Sequence, residues 1–133
     1  MRKLKRKIRN LYYDTRYGVA NLVTWFPIVW NDRDWDHSFL FILLQFKLTR
    51  MKKVFDESNS MSYNHKKKTI RELKTCIALL ERLIEENYTD TVEHQRLSKI
   101  DSRRAYTRKN YLHQYDVNLL FQIMSRKVTG WWD

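Results

Sequence analysis

The chain has 133 residues, the length of one domain, and contains only two glycines and one proline. Because a β-rich fold of this size needs many tight turns made with such residues, the composition predicts a single all-α domain over residues 1–133. The one cysteine excludes an internal disulfide, and a net charge of +11 favours an anionic partner.

The first predicted helix covers residues 2–24 and is strongly basic, with six cations between Arg2 and Arg9. We expect Gly18 to mark a bend or a close helix contact, because glycine weakens a helix locally. One predicted face repeats at three- and four-residue steps, as in an amphipathic helix. That face consists of Leu4, Ile8, Leu11, Thr15, Val19, Leu22, Val23 and Phe26.

An aromatic and acidic connection follows over residues 25–36, with the sequence Trp25-Phe-Pro-Ile-Val-Trp-Asn-Asp-Arg-Asp-Trp-Asp36. Pro27 is predicted to end the first helix, because proline disfavours the α conformation in the residue before it. Either Asp34 or Asp36 is the expected N-cap of the second helix, since a short carboxylate accepts hydrogen bonds from the free amides of a helix start.

Two further helices are predicted before residue 88, and both are expected to contribute to the core. The second contains the most apolar stretch of the chain, Phe39 to Phe46, whose eight residues are far fewer than the about 20 that cross a membrane. The third covers residues 62–87 and carries the alternating three- and four-residue spacing of a helical seam. The seam is Ile70, Leu73, Ile77, Leu80 and Ile84.

Residues 92–128 are predicted to form either one long helix or two helices, the second capped by Asp116. Gly130 is the expected C-cap. It leaves the tail 131–133, Trp-Trp-Asp, to dock onto the body of the domain or onto a second subunit. The predicted architecture is therefore a helical bundle of about four helices.

No catalytic motif is present, so the sequence predicts a protein that is not an enzyme and needs no metal or cofactor. The four histidines and one cysteine have no zinc-ligand spacing, and Cys76 lies beside the predicted seam, as a small buried side chain would. A calcium loop starting at Asp32 would need glycine and glutamate where the chain has His37 and Leu43.

Three segments carry a resemblance to a known group of proteins: the connection at 25–36, Phe46-Lys-Leu-Thr-Arg-Met51, and the closing Trp131-Trp132-Asp133. The likeness covers mainly residues 20–55 and the tail, about a third of the chain, and there the sequence resembles a family of small proteins encoded by tailed bacteriophages. The resemblance implies an accessory protein that acts in the host cytoplasm and binds a host component. It carries no residue roles.

The leading hypothesis is a homo-oligomeric binding protein that does not associate with membranes and sequesters an anionic, nucleotide-like signal of host immunity, as a counter-defence sponge. Arginine suits phosphate because its planar fork binds two oxygens at once, and aromatic rings can stack on a base. The predicted ligand-binding residues are Arg9, Arg16, Arg33, Arg103 and Arg104 for phosphate, and Tyr13, Tyr17, Trp30 and Trp35 for the base.

Two alternatives remain open at this stage. The protein could bind nucleic acid without sequence preference, through the basic segment Arg2 to Arg9 and further basic clusters. It could instead inhibit a host enzyme through an aromatic hot spot, for which Trp131 and Trp132 are the candidates.

Overall fold

The computed structural model describes residues 2–30, 32–33, 36, 38–57 and 62–132. Within these ranges the chain forms five α-helices and one 3-10 helix, with no β-strand, which confirms the all-α prediction. Of the described helices, none is both long and apolar enough to cross a membrane. The elements are α1 (Arg2–Val29), α2 (Phe39–Glu57), α3 (Tyr63–Glu85), α4 (Val92–Ile100), α5 (Ser102–Lys127) and the 3-10 helix (Val128–Trp131).

The chain clusters into two compact units, residues 1–39 and residues 40–133, and each is described by itself. The first unit holds α1 and the connection that follows it. Gly18 marks no close contact there, because a Cβ added to it would meet no atom within 4 Å. The expectation of a single domain remains a prediction.

Helix α1 runs through Pro27 instead of ending before it, so the predicted end at residue 24 is wrong. The amide of Trp30 donates a 2.9 Å hydrogen bond to the carbonyl oxygen of Phe26, which continues the helical pattern past the proline. Proline has no N–H to donate to Val23, and its ring crowds the carbonyl oxygen of that residue. The helix tolerates this local cost and ends two residues later, at Val29.

Helix α2 begins at Phe39, three residues after its expected cap. Oδ1 of Asp36 accepts a 3.0 Å hydrogen bond from the backbone N of Ser38 and a second bond from the Ser38 hydroxyl. Asp36 therefore stabilises the turn before the helix rather than occupying its N-cap. The other candidate cap, Asp34, lies outside the described residues.

The core of the second unit contains the predicted seam of α3. Leu73 and Leu80 are fully buried, and the remaining seam residues pack against them while partly buried. Cys76 is also fully buried, as predicted, and burial raises the pKa of its thiol to about 11. The other elements contribute Phe41, Leu48, Phe55, Leu120 and Trp131 to this core.

The region 92–128 forms two helices that divide at Asp101, not at Asp116. Thr91 caps α4 by accepting a 3.2 Å hydrogen bond from the amide of His94. Asp116 instead lies buried within α5. Its carboxylate accepts hydrogen bonds from Arg82 Nη2 at 2.7 Å and from the Tyr88 hydroxyl at 2.8 Å. Asp116 is therefore not a cap, because its two oxygens tie α5 to α3 and to the turn after it.

The C-terminus is also ordered differently from the prediction. The C-cap of α5 is Val128, and Gly130 lies in the 3-10 helix without a positive φ, so it is not a glycine cap. Trp131 is buried in the core, which corresponds to docking onto the body of the fold. The ring of Trp132 lies 4.5 Å from that of Phe55. Trp131 is therefore not an exposed anchor for a partner protein.

Candidate functional site

Three arginines and one tyrosine line an open concavity of about 600 Å³ at the start of α5. We call Arg103, Arg104, Arg108 and Tyr111 the α5 cluster. Arg104, Arg108 and Tyr111 follow at steps of four and three residues, so the helix presents them on one face, and Arg103 borders that face. Leu97, Asp101 and Thr107 complete the lining, and Leu97 supplies an apolar wall from α4.

Asp101 lies between α4 and α5, where it lines this concavity. Its amide donates a 2.8 Å hydrogen bond to the Leu97 carbonyl oxygen, which closes α4. Its Oδ1 accepts a 3.0 Å bond from the Arg104 amide, which caps α5. Its Oδ2 lies 4.0 Å from Nε of Arg104. Asp101 therefore ends α4 with its backbone amide and caps α5 with its carboxylate, which also lies near the Arg104 guanidinium.

The arginines of the cluster differ in their partners. Nη2 of Arg108 lies 2.7 Å from Oε2 of Glu93 on α4, and both side chains are substantially exposed. The guanidinium of Arg103 is exposed and makes no ion pair with any residue that the structure describes. Counting Asp101 and Glu93 as negative, the concavity keeps a net positive charge, and Arg103 supplies donor groups that are not engaged by a described carboxylate.

Tyr111 gives the concavity an aromatic surface. Its ring stacks with that of Tyr115, with centroids 6.4 Å apart and an interplanar angle of 29°. Both tyrosines are more than half exposed. Because every nucleic base has a flat π-face, an exposed ring at this position can stack on a base while the arginines hold phosphate oxygens.

Four other predicted site residues share a separate surface in the first unit. Arg9, Tyr13, Arg16 and Tyr17 all project from α1 within an arc of about 100° and are exposed. We call these four residues the polar face of α1. The structure therefore brings the predicted residues together in two groups, this one and the pair Arg103 and Arg104 in the α5 cluster.

The remaining predicted residues belong to the connection after α1. Arg33 is exposed, and its Nη1 donates a 3.0 Å hydrogen bond to the backbone oxygen of Asp32. The exposed Trp30 packs against Phe26, with ring centroids 4.8 Å apart. Trp35 lies outside the described residues, so its predicted role in stacking stays a prediction.

A second cationic concavity, of about 590 Å³, lies along α3. Its lining residues all come from that helix: Asn64, Lys66, Lys67, Lys68, Ile70, Arg71 and Lys74. Lys66 also donates a 2.8 Å hydrogen bond to the backbone oxygen of Asp56. This surface can attract phosphate, but no aromatic side chain stands among its described lining residues to receive a base.

Arg108 and Tyr111 are not among the predicted ligand-binding residues, although the sequence contains a signal for them. The steps from Arg104 to Thr107, Arg108 and Tyr111 are three, four and seven, which is the spacing of one helical face. The signal depends on knowing that a helix begins at Ser102 and that α4 meets α5 there. Neither fact follows from the spacing alone.

The described part of the chain contains no group of three or more His, Cys, Asp or Glu side chains arranged to hold a metal ion. Comparison with models of protein families, with curated proteins and with solved structures gives no match. The functional argument therefore rests on the geometry of the chain itself.

Proposed function

We propose that this protein binds an anionic, nucleotide-like small molecule at the α5 cluster. The observation that carries the proposal is the meeting of three guanidinium groups and an exposed tyrosine around one concavity of about 600 Å³. Pockets for small ligands have volumes of roughly 300 to 1,000 Å³. Phosphate oxygens would lie against the arginines and the base against Tyr111.

The ion pairs of the cluster favour this role because they orient guanidinium groups without burying them. Arg104 is held near Asp101, and Arg108 is held by Glu93, whose side chain is largely exposed. An exposed ion pair contributes at most about 1 kcal/mol, so a phosphate can replace the carboxylate at small cost. Arg103, which has no such partner to give up, would make the first contact.

Sequestration of the ligand is the biological role that we propose. The cluster offers contacts for a phosphate group and a nucleobase. It does not pair a nucleophile with a catalytic proton acceptor, which fits binding without turnover. The resemblance to bacteriophage proteins makes a nucleotide signal of host immunity the ligand class to examine first. Such a sponge would act in the host cytoplasm as a homo-oligomer.

Calorimetry on the full-length protein tests this function. The probes are cyclic dinucleotides and cyclic ADP-ribose, with inorganic phosphate as the minimal anion. We expect saturable binding of at least one nucleotide probe, weakened at least about tenfold in an Arg103→Gln/Arg104→Gln variant by loss of charged hydrogen bonds. Arg126→Gln, at an exposed arginine near the other end of α5, controls for the loss of a surface arginine outside the concavity and should bind like the wild type. Absence of heat with every probe would remove the proposal.

The polar face of α1 favours a second candidate function, binding of nucleic acid without sequence preference. Arg9 and Arg16 are two helical turns apart, and Tyr13 and Tyr17 lie between and beside them. Alternating cations and exposed rings along one line suit a nucleic-acid backbone with stacked bases. Residues 2–7 extend the same helix with five further cations.

A gel-shift series in rising salt distinguishes this second function from the first. Retention of single-stranded DNA should fall steeply as salt rises, because each phosphate contact releases a counterion. Arg9→Gln/Arg16→Gln should weaken retention, whereas Arg103→Gln/Arg104→Gln should not. No retardation at low salt would exclude this function and leave the calorimetric result unaffected.

A further inference from the structure

The face of α1 opposite its polar face is a long, exposed apolar row. We call Leu4, Ile8, Leu11, Thr15, Val19, Leu22 and Phe26 the apolar face of α1. Its six apolar side chains are between 53% and 71% exposed. At 3.6 residues per turn the seven residues fall within an arc of about 80° and extend about 33 Å along the axis. A helix face of this kind normally packs against another surface.

Within this arc the apolar face is symmetric about Thr15, while Val23 lies about 40° outside the arc and is not part of the row. Its successive steps are four, three, four, four, three and four residues, which read the same in both directions. Residues at equal distances from Thr15 therefore form three pairs: Leu11 with Val19, Ile8 with Leu22, and Leu4 with Phe26. A second α1 running in the opposite direction would present the same spacing, so the two rows match along their whole length.

The charges of α1 select this direction of pairing. All seven cations of the helix, and Asp14, lie in residues 2–16, while residues 17–29 carry no charge. Parallel pairing would place two sets of seven cations side by side, which is unfavourable. Antiparallel pairing places each basic half beside the uncharged half of its partner. Residues 32–36, which hold three aspartates and Arg33, have a net charge of −2; they follow that uncharged half and complement the partner's basic end.

We propose that α1 pairs through its apolar face with α1 of a second copy of this chain, antiparallel, about a two-fold axis at Thr15. This isologous contact covers both apolar faces at once. It leaves both polar faces of α1 directed outward and available to an anionic partner. An anionic lipid surface is the competing occupant, because it would attract the cations of α1, but it gives no reason for the symmetric spacing of the apolar face.

Cysteine cross-linking tests the direction and register of this pairing. In Thr15→Cys the two thiols lie at the two-fold axis, so mild oxidation should give a covalent dimer. In Leu4→Cys the two thiols lie at opposite ends of the antiparallel pair, about 33 Å apart, and should not join. The natural Cys76 is fully buried and serves as the internal negative control. Cross-linking of Leu4→Cys as efficient as that of Thr15→Cys would overturn the proposal.

Sedimentation of charge variants tests which face of α1 forms the contact. The wild type should have twice the molar mass of the chain, and Leu11→Glu/Leu22→Glu should halve it. Asn10→Glu/Thr24→Glu adds the same charge away from the apolar face and should remain dimeric, with circular dichroism checking helix content in both. A monomeric wild type would overturn the proposal. If that monomer also binds vesicles containing phosphatidylglycerol, the result would assign the face to lipid.

Discussion

The indole Nε1 of Trp131 donates a 3.0 Å hydrogen bond to Oε2 of Glu72, a residue 59 positions earlier on α3. Trp131 is 1% exposed, and its backbone oxygen lies 3.4 Å from Nε2 of His65. Lys127 Nζ approaches the other oxygen of Glu72 at 3.9 Å. The segment from Lys127 to Trp131 is thus held against α3 by the buried Trp131 ring and by the Glu72 carboxylate.

Trp131→Phe should destabilise the second unit by about 2 kcal/mol, because it removes a hydrogen bond to a charged group while keeping most of the ring. Urea unfolding followed by circular dichroism measures this loss. Trp132→Phe is the matched control, since that neighbouring ring is 59% exposed, and its effect should stay within about 0.5 kcal/mol. Equal effects of the two substitutions would contradict the role given to Trp131.

The buried carboxylate of Asp116 should be more sensitive to substitution than the arginine that pairs with it. Asp116→Asn removes the charge that receives hydrogen bonds from Arg82 and Tyr88, and we expect a loss of about 2 to 3 kcal/mol. Arg82→Gln leaves the Asp116 carboxylate, which is 6% exposed, with the Tyr88 bond alone, and it should cost about 1 to 2 kcal/mol, less than Asp116→Asn because the Arg82 side chain is 57% exposed. Unfolding free energies of the two variants test this order, and a reversal would contradict it.

Stability should fall at alkaline pH because of two groups in the second unit. Burial, and then the hydrogen bond to Asp116, raise the pKa of Tyr88 above its ordinary value. Burial raises the pKa of Cys76 to about 11. A group whose pKa is higher in the folded than in the unfolded state stabilises the fold at pH values below its unfolded pKa. This stabilisation is lost as the pH rises from the unfolded pKa through the folded pKa. The loss should therefore begin near pH 9 to 10, where the unfolded groups titrate.

Unfolding midpoints measured at successive pH values from neutral to alkaline test this linkage. Tyr88→Phe should lower the stability at neutral pH and flatten its decline above about pH 10, because the titrating phenol is gone. Tyr106→Phe, an exposed tyrosine of α5, is the control and should keep the wild-type profile. A decline of unchanged steepness in Tyr88→Phe would show that this phenol is not linked to folding.

Pro27→Ala should stabilise the last turn of α1, because it restores an amide that can bond to the carbonyl of Val23. Hydrogen exchange measured by NMR should show slower exchange of the amides around residues 23–30. Gly18→Ala is a companion change in the middle of the helix, where an added Cβ meets no atom within 4 Å. It should stabilise α1 by about 1 kcal/mol. Faster exchange near residue 27 in Pro27→Ala would contradict a helix that continues through that position.

The elements that could be predicted from the sequence are those fixed by local spacing. The seam of α3 and the burial of Cys76 are confirmed because alternating three- and four-residue steps leave one face for the core. The end of α1 could not be located this way, because Pro27 weakens the preceding turn without fixing the residue at which the helix ends. The role of Asp116 could not be predicted either. An aspartate can cap a helix or form a buried ion pair, and only its tertiary contacts decide between the two.

The candidate site was predictable in part. Arg103 and Arg104 were expected to bind a ligand, and both line the concavity at the start of α5. Their association with Arg108 and Tyr111 required the position of the helix start and the packing of α4, which are tertiary facts. The predicted residues of α1 form a coherent face for the same reason that α3 was predictable, namely helical periodicity.

NMR titration of the isotope-labelled full-length protein is the most direct test of the central claim, that the α5 cluster holds the ligand. The probe is the nucleotide that gives heat in calorimetry, or cyclic ADP-ribose if all are weak. The proposal predicts saturable shifts of the amides between Leu97 and Tyr111, lost in Arg103→Gln/Arg104→Gln. Shifts confined to the polar face of α1 or to the cationic surface of α3, or no shifts with any probe, would contradict it.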